Sequence, residues 1–541
     1  MYAEWRMLVL GIALVLLFDI GLAAPSSGFH ERCRSFDPTY YVENSTLNVR
    51  EFVAAGSNLT FPDNVASCGR ASQVVSVDLC RVALEIRTSS TSRITFEMWF
   101  PEEWSGRFLA TGNGGLDGCI KYEDIAYGTQ NGFATVGANN GHNGTSGRDF
   151  FNEHEMVVDF AWRSLHTSVE TGKMLAQRFY QKKHRTSYYI GCSLGGRQGI
   201  KAAEQFPRDF DGILVGAPGV DFNNLYSWRA LFYTITGPKT SPNFIPPQAW
   251  KTWIHDEVLR QCDGIDGAKD GIIEDPLLCR FNPRTLKCNS ANATIEAKCL
   301  NENQVQQLVR IFNPYTYPSG ELIFPGMQPG SEMQAPDRLY TGEPFAYSED
   351  WFKYVVYNDP SWNASTFTVA DARAAEALNP ANIRTYPSSL PAFESRGGKL
   401  LMYHGQQDSQ LTSFNTNRFY EHLRGSNSKR GKRSYASMNT WVRFFRISGM
   451  FHCSGGPGAW ALGQGGRAAQ AGIPFDAHHN LLAALVAWVE KGAAPERVEG
   501  TKFVNDTVAA GVEFKRRHCM YPAKNVYVGG NYREAGSWRC K

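Results

Sequence analysis

One stretch, Gly191-Cys192-Ser193-Leu194-Gly195, constrains this chain more than any other. It lies between a strand-like run, Ser187–Gly191, and a helical run, Arg197–Phe206. A G-x-S-x-G sequence between a strand and a helix puts the serine on a sharp, strained turn, and the flanking glycines let neighbouring elements approach. The N–H groups after the serine lie at a helix N-terminus, where they can stabilise an oxyanion. The pentapeptide alone is common by chance. With a strand before it and a helix after it, the catalytic reading of Ser193 outweighs that of an ordinary glycine-rich turn.

The surrounding pattern agrees. Arg93–Phe100, Arg107–Gly112, Gly132–Gly137 and Gly212–Pro218 read as strands, the second running into a glycine-rich loop, Thr111–Gly115. Met156–Tyr180 reads as a long amphipathic helix. Strand–helix alternation of this kind argues for a parallel sheet covered by helices on both faces. The pattern breaks down over 219–390, a stretch rich in Pro, Asn and Trp that reads as an inserted cap or lid domain. It resumes with strands at Lys399–Gly405 and Trp441–Ile447 and a helix at Asn480–Gly492, whose closing lysine and glycine are a C-terminal signal. The catalytic domain is therefore 24–218 plus 391–541.

A serine nucleophile needs a base, and a turn of this type is followed in the chain by Asp or Glu and then by His. Asp408 stands just beyond the strand Lys399–Gly405, and His452 just beyond Trp441–Ile447. The chain has 12 histidines, but only His452 directly follows a late strand and precedes a cysteine, Cys453. Cys192 is pressed against Ser193 in the same way. A Cys192–Cys453 disulfide would hold base beside nucleophile.

Residues 1–23 have the marks of a secretory signal peptide: Arg6, a short apolar run from Met7 to Phe18, and small residues before cleavage near Ala23. No other stretch is apolar for long enough to cross a bilayer. The 12 cysteines are an even number without a C-x-x-C pair, which in an exported chain means disulfides rather than zinc. Glycan acceptor sequons at Asn44, Asn58, Asn143, Asn292, Asn363 and Asn505 suit a secreted, extracellular glycoprotein. With 55 basic and 52 acidic side chains, a net charge of +3 and no basic stripe, nucleic acid is not an expected partner. The dibasic pairs Lys429-Arg430 and Lys432-Arg433 are read as a solvated loop rather than a processing site.

Between Cys262 and Pro276, Asp263, Asp266 and Asp270 interleave with glycines. Carboxylates crowded in this way suit a hard cation such as Ca²⁺, although the spacing is not that of an EF-hand. The residues alone leave a solvated acidic turn equally open.

Taken together, the Cys-Ser, Asp and His-Cys arrangement resembles the tannase/feruloyl esterase family, with the likeness closest to fungal type-B feruloyl esterases. The likeness runs through nearly the whole mature chain, in "VDLCRV", "GRFLATGNGGL", "GFATVG", "GCSLGGRQG", "QFPRDFDG", "DGIIEDP", "KYVVYND", "GGKLLMYHG" and "ISGMFHC". Ser409 stands where relatives commonly carry proline. The resemblance implies an α/β-hydrolase fold with an inserted lid. It implies Ser193 as nucleophile, His452 as general base and then acid, and Asp408 orienting His452. The N–H groups of Leu194 and Gly114 would be the oxyanion donors. It also implies structural calcium in the lid, held by Asp263, Asp266 and Asp270 and the carbonyls of Ala268 and Ile272, and no organic cofactor. The remaining disulfides would be Cys33–Cys80, Cys68–Cys119, Cys262–Cys279, Cys288–Cys299 and Cys519–Cys540.

The expected substrates are hydroxycinnamoyl (feruloyl, p-coumaroyl or caffeoyl) esters on plant cell-wall polysaccharide, xylan among them. A tannase cleaving galloyl esters is the alternative. The aromatics of Ser348–Trp362 would either choose between acyl groups or pack a core. A rival of another class, an inactive calcium-dependent binding protein on a hydrolase scaffold, would usually have lost the serine or the histidine. Both remain here.

Overall fold

A computed structural model describes Met1 and residues 27–289, 298–425, 431–465 and 472–541. Residues 2–23 of the signal segment, Asn292 and Lys429-Arg430 lie outside the described residues. Nine strands form the main sheet: β1 (Ser45–Val53), β2 (Leu79–Arg87), β3 (Arg93–Pro101), β4 (Arg107–Thr111), β5 (Phe133–Ala138), β6 (Thr186–Cys192), β7 (Gly212–Gly216), β8 (Lys399–Gly405) and β9 (Val442–Ile447). Their spatial order is β1-β2-β3-β5-β4-β6-β7-β8-β9. From β5 to β9 every pairing is parallel, whereas β1, β2 and β3 join by antiparallel pairings. The parallel part follows the expectation from sequence. The antiparallel extension, including β1 and β2, goes beyond it.

Alternate residues along each parallel strand enter different cores, as the two-residue period of a strand requires. Tyr189, Ile213, Val215, Leu400 and Met402 join one apolar cluster. Tyr188, Ile190, Leu214, Leu401 and Tyr403 join another. With both faces buried, the strands read as continuous apolar runs. The first face is covered by α2 (Ser164–Tyr180), through Val169, Leu175 and Phe179, and by α3 (Leu194–Gln205), through Ile200 and Ala203. The second is covered by α1 (Tyr122–Gln130), through Tyr127, and by the last long helix, α8 (Leu481–Lys491), through Leu481 and Leu485. That helix is capped at one end by Asn480, whose side chain accepts from Ala483 N–H, and at the other by Gly492 in the left-handed region.

The chain leaves the sheet after β7 and returns only at β8, its neighbour. The intervening residues carry α4 (Phe222–Thr236), α5 (Glu302–Phe312) and α6 (Val369–Leu378), and α7 (Ser413–Leu423) follows β8. A third apolar cluster packs this insertion against the catalytic side, joining Trp228, Phe232, Trp250, Leu308 and Trp351 to Leu116, Phe160 and Leu194. Trp351 and Phe352 are fully buried there, so these two aromatics of Ser348–Trp362 are core.

All six disulfides are present with the expected partners: Cys33–Cys80, Cys68–Cys119, Cys192–Cys453, Cys262–Cys279, Cys288–Cys299 and Cys519–Cys540. Asn44, Asn58, Asn143, Asn363 and Asn505 are exposed. Among the described residues no helix is long and apolar enough to cross a membrane. Lys432 and Arg433 form ion pairs with Glu421 and Glu394, respectively.

Candidate active site

Ser193 sits between β6 and α3 with φ 62° and ψ −118°, a left-handed conformation that costs a non-glycine residue about 1–3 kcal/mol. The turn around it is held at several points. Ser193 N–H donates to Gly216 O at 2.9 Å, and Ser193 O accepts from Arg197 N–H at 3.0 Å and Gly219 N–H at 2.9 Å. A Cβ on Gly191 would meet the Tyr189 hydroxyl at 2.6 Å and the Gly195 carbonyl carbon at 2.8 Å. The small residues of the motif are thus a consequence of backbones packed too closely for side chains.

Asp408 follows β8 and is completely buried. Its Oδ1 accepts from the N–H groups of Gln410 at 2.8 Å and Leu411 at 2.9 Å. Its Oδ2 faces His452 Nδ1 at 2.7 Å and His404 Nε2 at 3.0 Å. Burial alone would raise the Asp408 pKa, but the two imidazoles beside it hold the carboxyl well below the usual range. It is therefore an ionised hydrogen-bond acceptor. Its bond to Nδ1 makes that nitrogen the protonated one and leaves Nε2 of His452 as the basic nitrogen.

His404 is the residue that sequence reasoning missed. It is fully buried on β8, with Nε2 also 3.1 Å from Leu411 O and Nδ1 2.7 Å from the Thr416 hydroxyl. Both carbonyl and carboxylate oxygens need a donor, so Nε2 carries the proton and Nδ1 accepts from Thr416. The one available signal was its position at the end of an otherwise apolar strand.

Ser193, His452 and the Cys192–Cys453 disulfide line one cavity of about 300 Å³, together with Gly114, Gly115, Asp117, Arg229 and Tyr347. The disulfide joins backbones whose Cα atoms are 6.4 Å apart. A second cavity of about 600 Å³ shares His452, Ser454 and Gln410 with the first and extends past Arg338, Phe451 and Trp460. His452 stands where the two meet.

The loop after β4 departs from the expected pattern at Gly114. Its N–H donates to Asp117 Oδ1 at 3.1 Å and is therefore already engaged. Asn113 N–H is held by the Gln198 side chain at 3.0 Å. Among the described residues no hydrogen bond is formed by the N–H of Gly115 or by that of Leu194. Gly115 is fixed by Tyr226, whose hydroxyl donates to its carbonyl at 3.2 Å, and by the Tyr347 ring, which a Cβ there would meet at 2.5 Å.

In the acidic loop, Asp263 Oδ1 accepts from Asp270 N–H at 3.3 Å and Gly271 N–H at 3.1 Å, and Asp270 pairs with the buried Arg516. Asp266 Oδ2 is buried without a hydrogen-bond partner among the described residues. Burial, with Glu274 and Asp270 nearby, pushes Asp266 up to about 7. One arginine thus faces several carboxylates and an orphaned oxygen, a donor set that fits a hard cation.

A mixed sheet with a parallel half, a strained serine on a strand-to-helix turn and a segment inserted above the strands' C-terminal ends define an α/β hydrolase. A family model described as "Tannase and feruloyl esterase" matches residues 80–541. The chain is 53% identical over 513 residues to a probable feruloyl esterase B-2 of Aspergillus flavus, covering 95% of this chain and 96% of that one. It superposes with a TM-score of 0.90 on the crystal structure of feruloyl esterase B from Aspergillus oryzae, at 43% identity over 95% of this chain and 100% of that one. A tannin acyl hydrolase from Aspergillus niger shares the fold at a TM-score of 0.71 and 19% identity, over 94% of each chain. The chain belongs to the tannase and feruloyl esterase family.

Proposed function

We propose that this protein is a secreted serine carboxylesterase that releases hydroxycinnamic acids from esters on plant cell-wall polysaccharide. The observation that carries the reading is the strained Ser193 sharing a cavity with a histidine anchored on a buried, ionised aspartate. The high identity of the feruloyl esterase B relatives over nearly the whole chain supports the substrate class.

In this mechanism Ser193 Oγ attacks the ester carbonyl as His452 Nε2 takes its proton. The tetrahedral oxyanion is met by the free N–H groups of Leu194 and Gly115, in place of the Gly114 donor expected from sequence. The histidine then protonates the departing sugar alcohol, and the same residues activate water to release the acid. Asp408 holds the Nδ1–H tautomer throughout, and His404 acts behind it as a positioning residue. The two cavities meeting at His452 leave room for an acyl group on one side and an alcohol on the other.

The test is a panel of methyl ferulate, p-coumarate, caffeate, sinapate and gallate. We expect turnover of the cinnamates to exceed that of gallate. Faster gallate turnover than any cinnamate would make the enzyme a tannase.

The cation-binding loop belongs to the same proposal. Asp263, Asp266 and Asp270, with the carbonyls of Ala268 and Ile272, would hold one calcium ion that neutralises the loop and ties it to the fold. The expected outcome is about one calcium per chain by elemental analysis. Asp266→Ala should lower the melting temperature and yield far more than kcat, and protein purified without bound calcium would remove the site.

A further inference from the structure

Two adjacent histidines outside the active site, His478 and His479, meet Glu499 of strand β10 (Arg497–Phe503), which pairs with β11 (Val512–Cys519). A ring nitrogen of each histidine and a carboxylate oxygen of Glu499 all lie within 4.8 Å of one another. His479 Nε2 is 3.5 Å from Glu499 Oε1, and His478 Nε2 is 3.9 Å from Oε2. Donors bound to zinc at 2.0–2.1 Å in a tetrahedron lie about 3.3 Å apart, so only small side-chain movements separate this cluster from a coordination sphere.

The surroundings orient it. Both oxygens of Asp476 lie 2.9 Å from His479 Nδ1, which fixes the proton there and turns the Nε2 lone pair towards Glu499. A carboxylate behind a ligating imidazole is the usual outer partner in zinc sites. Asp476 Oδ1 also accepts from the N–H groups of His478 and His479 at 2.9 and 3.0 Å, and Glu499 N–H donates to His478 O at 2.9 Å. The backbone carrying the three donors is therefore tied together before any ion arrives. His478 is half exposed, so an ion can enter.

We propose that His478, His479 and Glu499 form a binding site for a divalent ion of the zinc class, separate from the acidic loop. Imidazole donors favour zinc, copper or nickel over calcium, which takes oxygen ligands. Lys515 now sits 3.1 Å from Glu499 Oε1 and is the competing cation. A bound ion would clamp the turn before α8 onto β10, so its consequence is structural and leaves ester chemistry unchanged.

The test is calorimetric titration of untagged protein with zinc sulfate, with calcium in excess to saturate oxygen-ligand sites. One equivalent should bind with Kd below about 100 μM, an affinity of more than about 5 kcal/mol. His478→Ala and His479→Ala should each weaken binding at least tenfold, and Asp476→Asn by roughly 10–100-fold. Lys515→Gln, which alters an exposed side chain and leaves the fold alone, should tighten it. Absence of zinc uptake by the wild-type protein would overturn the proposal. So would undiminished binding in the double histidine variant, or unchanged affinity in Lys515→Gln, either of which would place the ion elsewhere.

Discussion

Ser193→Ala and His452→Ala are each expected to lower kcat on methyl ferulate by about 10⁴-fold or more, with melting temperatures close to the parent's. The reason is that in the proposed mechanism the two side chains perform one proton-coupled attack. Without either, what remains is binding and the oxyanion donors. The double variant should accordingly be scarcely slower than either single one. Losses that multiplied would mean that the two residues work independently. Asp408→Asn should be nearly as severe, because an amide nitrogen facing Nδ1 favours the wrong tautomer.

His404 extends this expectation one shell outward. Its Nε2–H is the second donor to Asp408 Oδ2, so removing it frees the carboxylate that aims His452. His404→Phe should lower kcat on the order of a hundredfold, as a small misplacement of a catalytic group does, while KM changes little. His404→Gln can restore a donor and should recover part of the loss. A purely structural role would instead lower stability in both variants and leave kcat per folded molecule unaltered.

The sequence made the parallel half of the sheet legible because strands buried on both faces read as unbroken apolar runs. Ser193, Asp408 and His452 were legible because their positions after strands follow from the chemistry. The antiparallel extension was harder to read. β1 alternates exposed and half-buried residues, with its burial pattern reading as an edge strand, and carries a weak signal. The choice of oxyanion donor in the loop after β4 is hard to read for a different reason. Two adjacent glycines are equivalent in sequence, and only the side chain of Asp117, folded back onto Gly114 N–H, separates them. His404 was hidden because a histidine within an apolar strand usually satisfies the core, and its contact with Asp408 depends on how the loop after β8 turns. In Ser348–Trp362 the aromatic content was visible but its direction was not. Trp351 and Phe352 point into the cap core, whereas Tyr347, one residue before that stretch, faces the cavity.

Replacing both Cys192 and Cys453 by alanine is expected to cut kcat sharply at temperatures where the variant is still folded. The bond spans a sequence separation of 261 residues, and the chain-entropy account assigns a closure of that length roughly 5 kcal/mol of stabilisation. A staple of that kind could sit anywhere in the chain. This one joins the residue before Ser193 to the residue after His452, and both Ser193 and Cys453 have positive φ, at 62° each. Two strained turns carrying the proposed nucleophile and base are thus fastened to each other directly. Asp408 fixes the tilt of the imidazole from behind, but its bonds do not set the distance across the cavity. Loss of the bridge leaves that distance to loop packing, and an error of about 1 Å is enough for a hundredfold loss of rate. Both cysteines must be changed together, since a single replacement leaves a thiol beside the nucleophile and mixes two effects. The measurement is kcat on methyl ferulate well below the variant's melting temperature, compared with KM on the same substrate. A folded double variant that turns over at the parent rate would show that the bridge serves stability alone and that the β6–α3 turn and the loop after β9 hold the reacting groups in place without it.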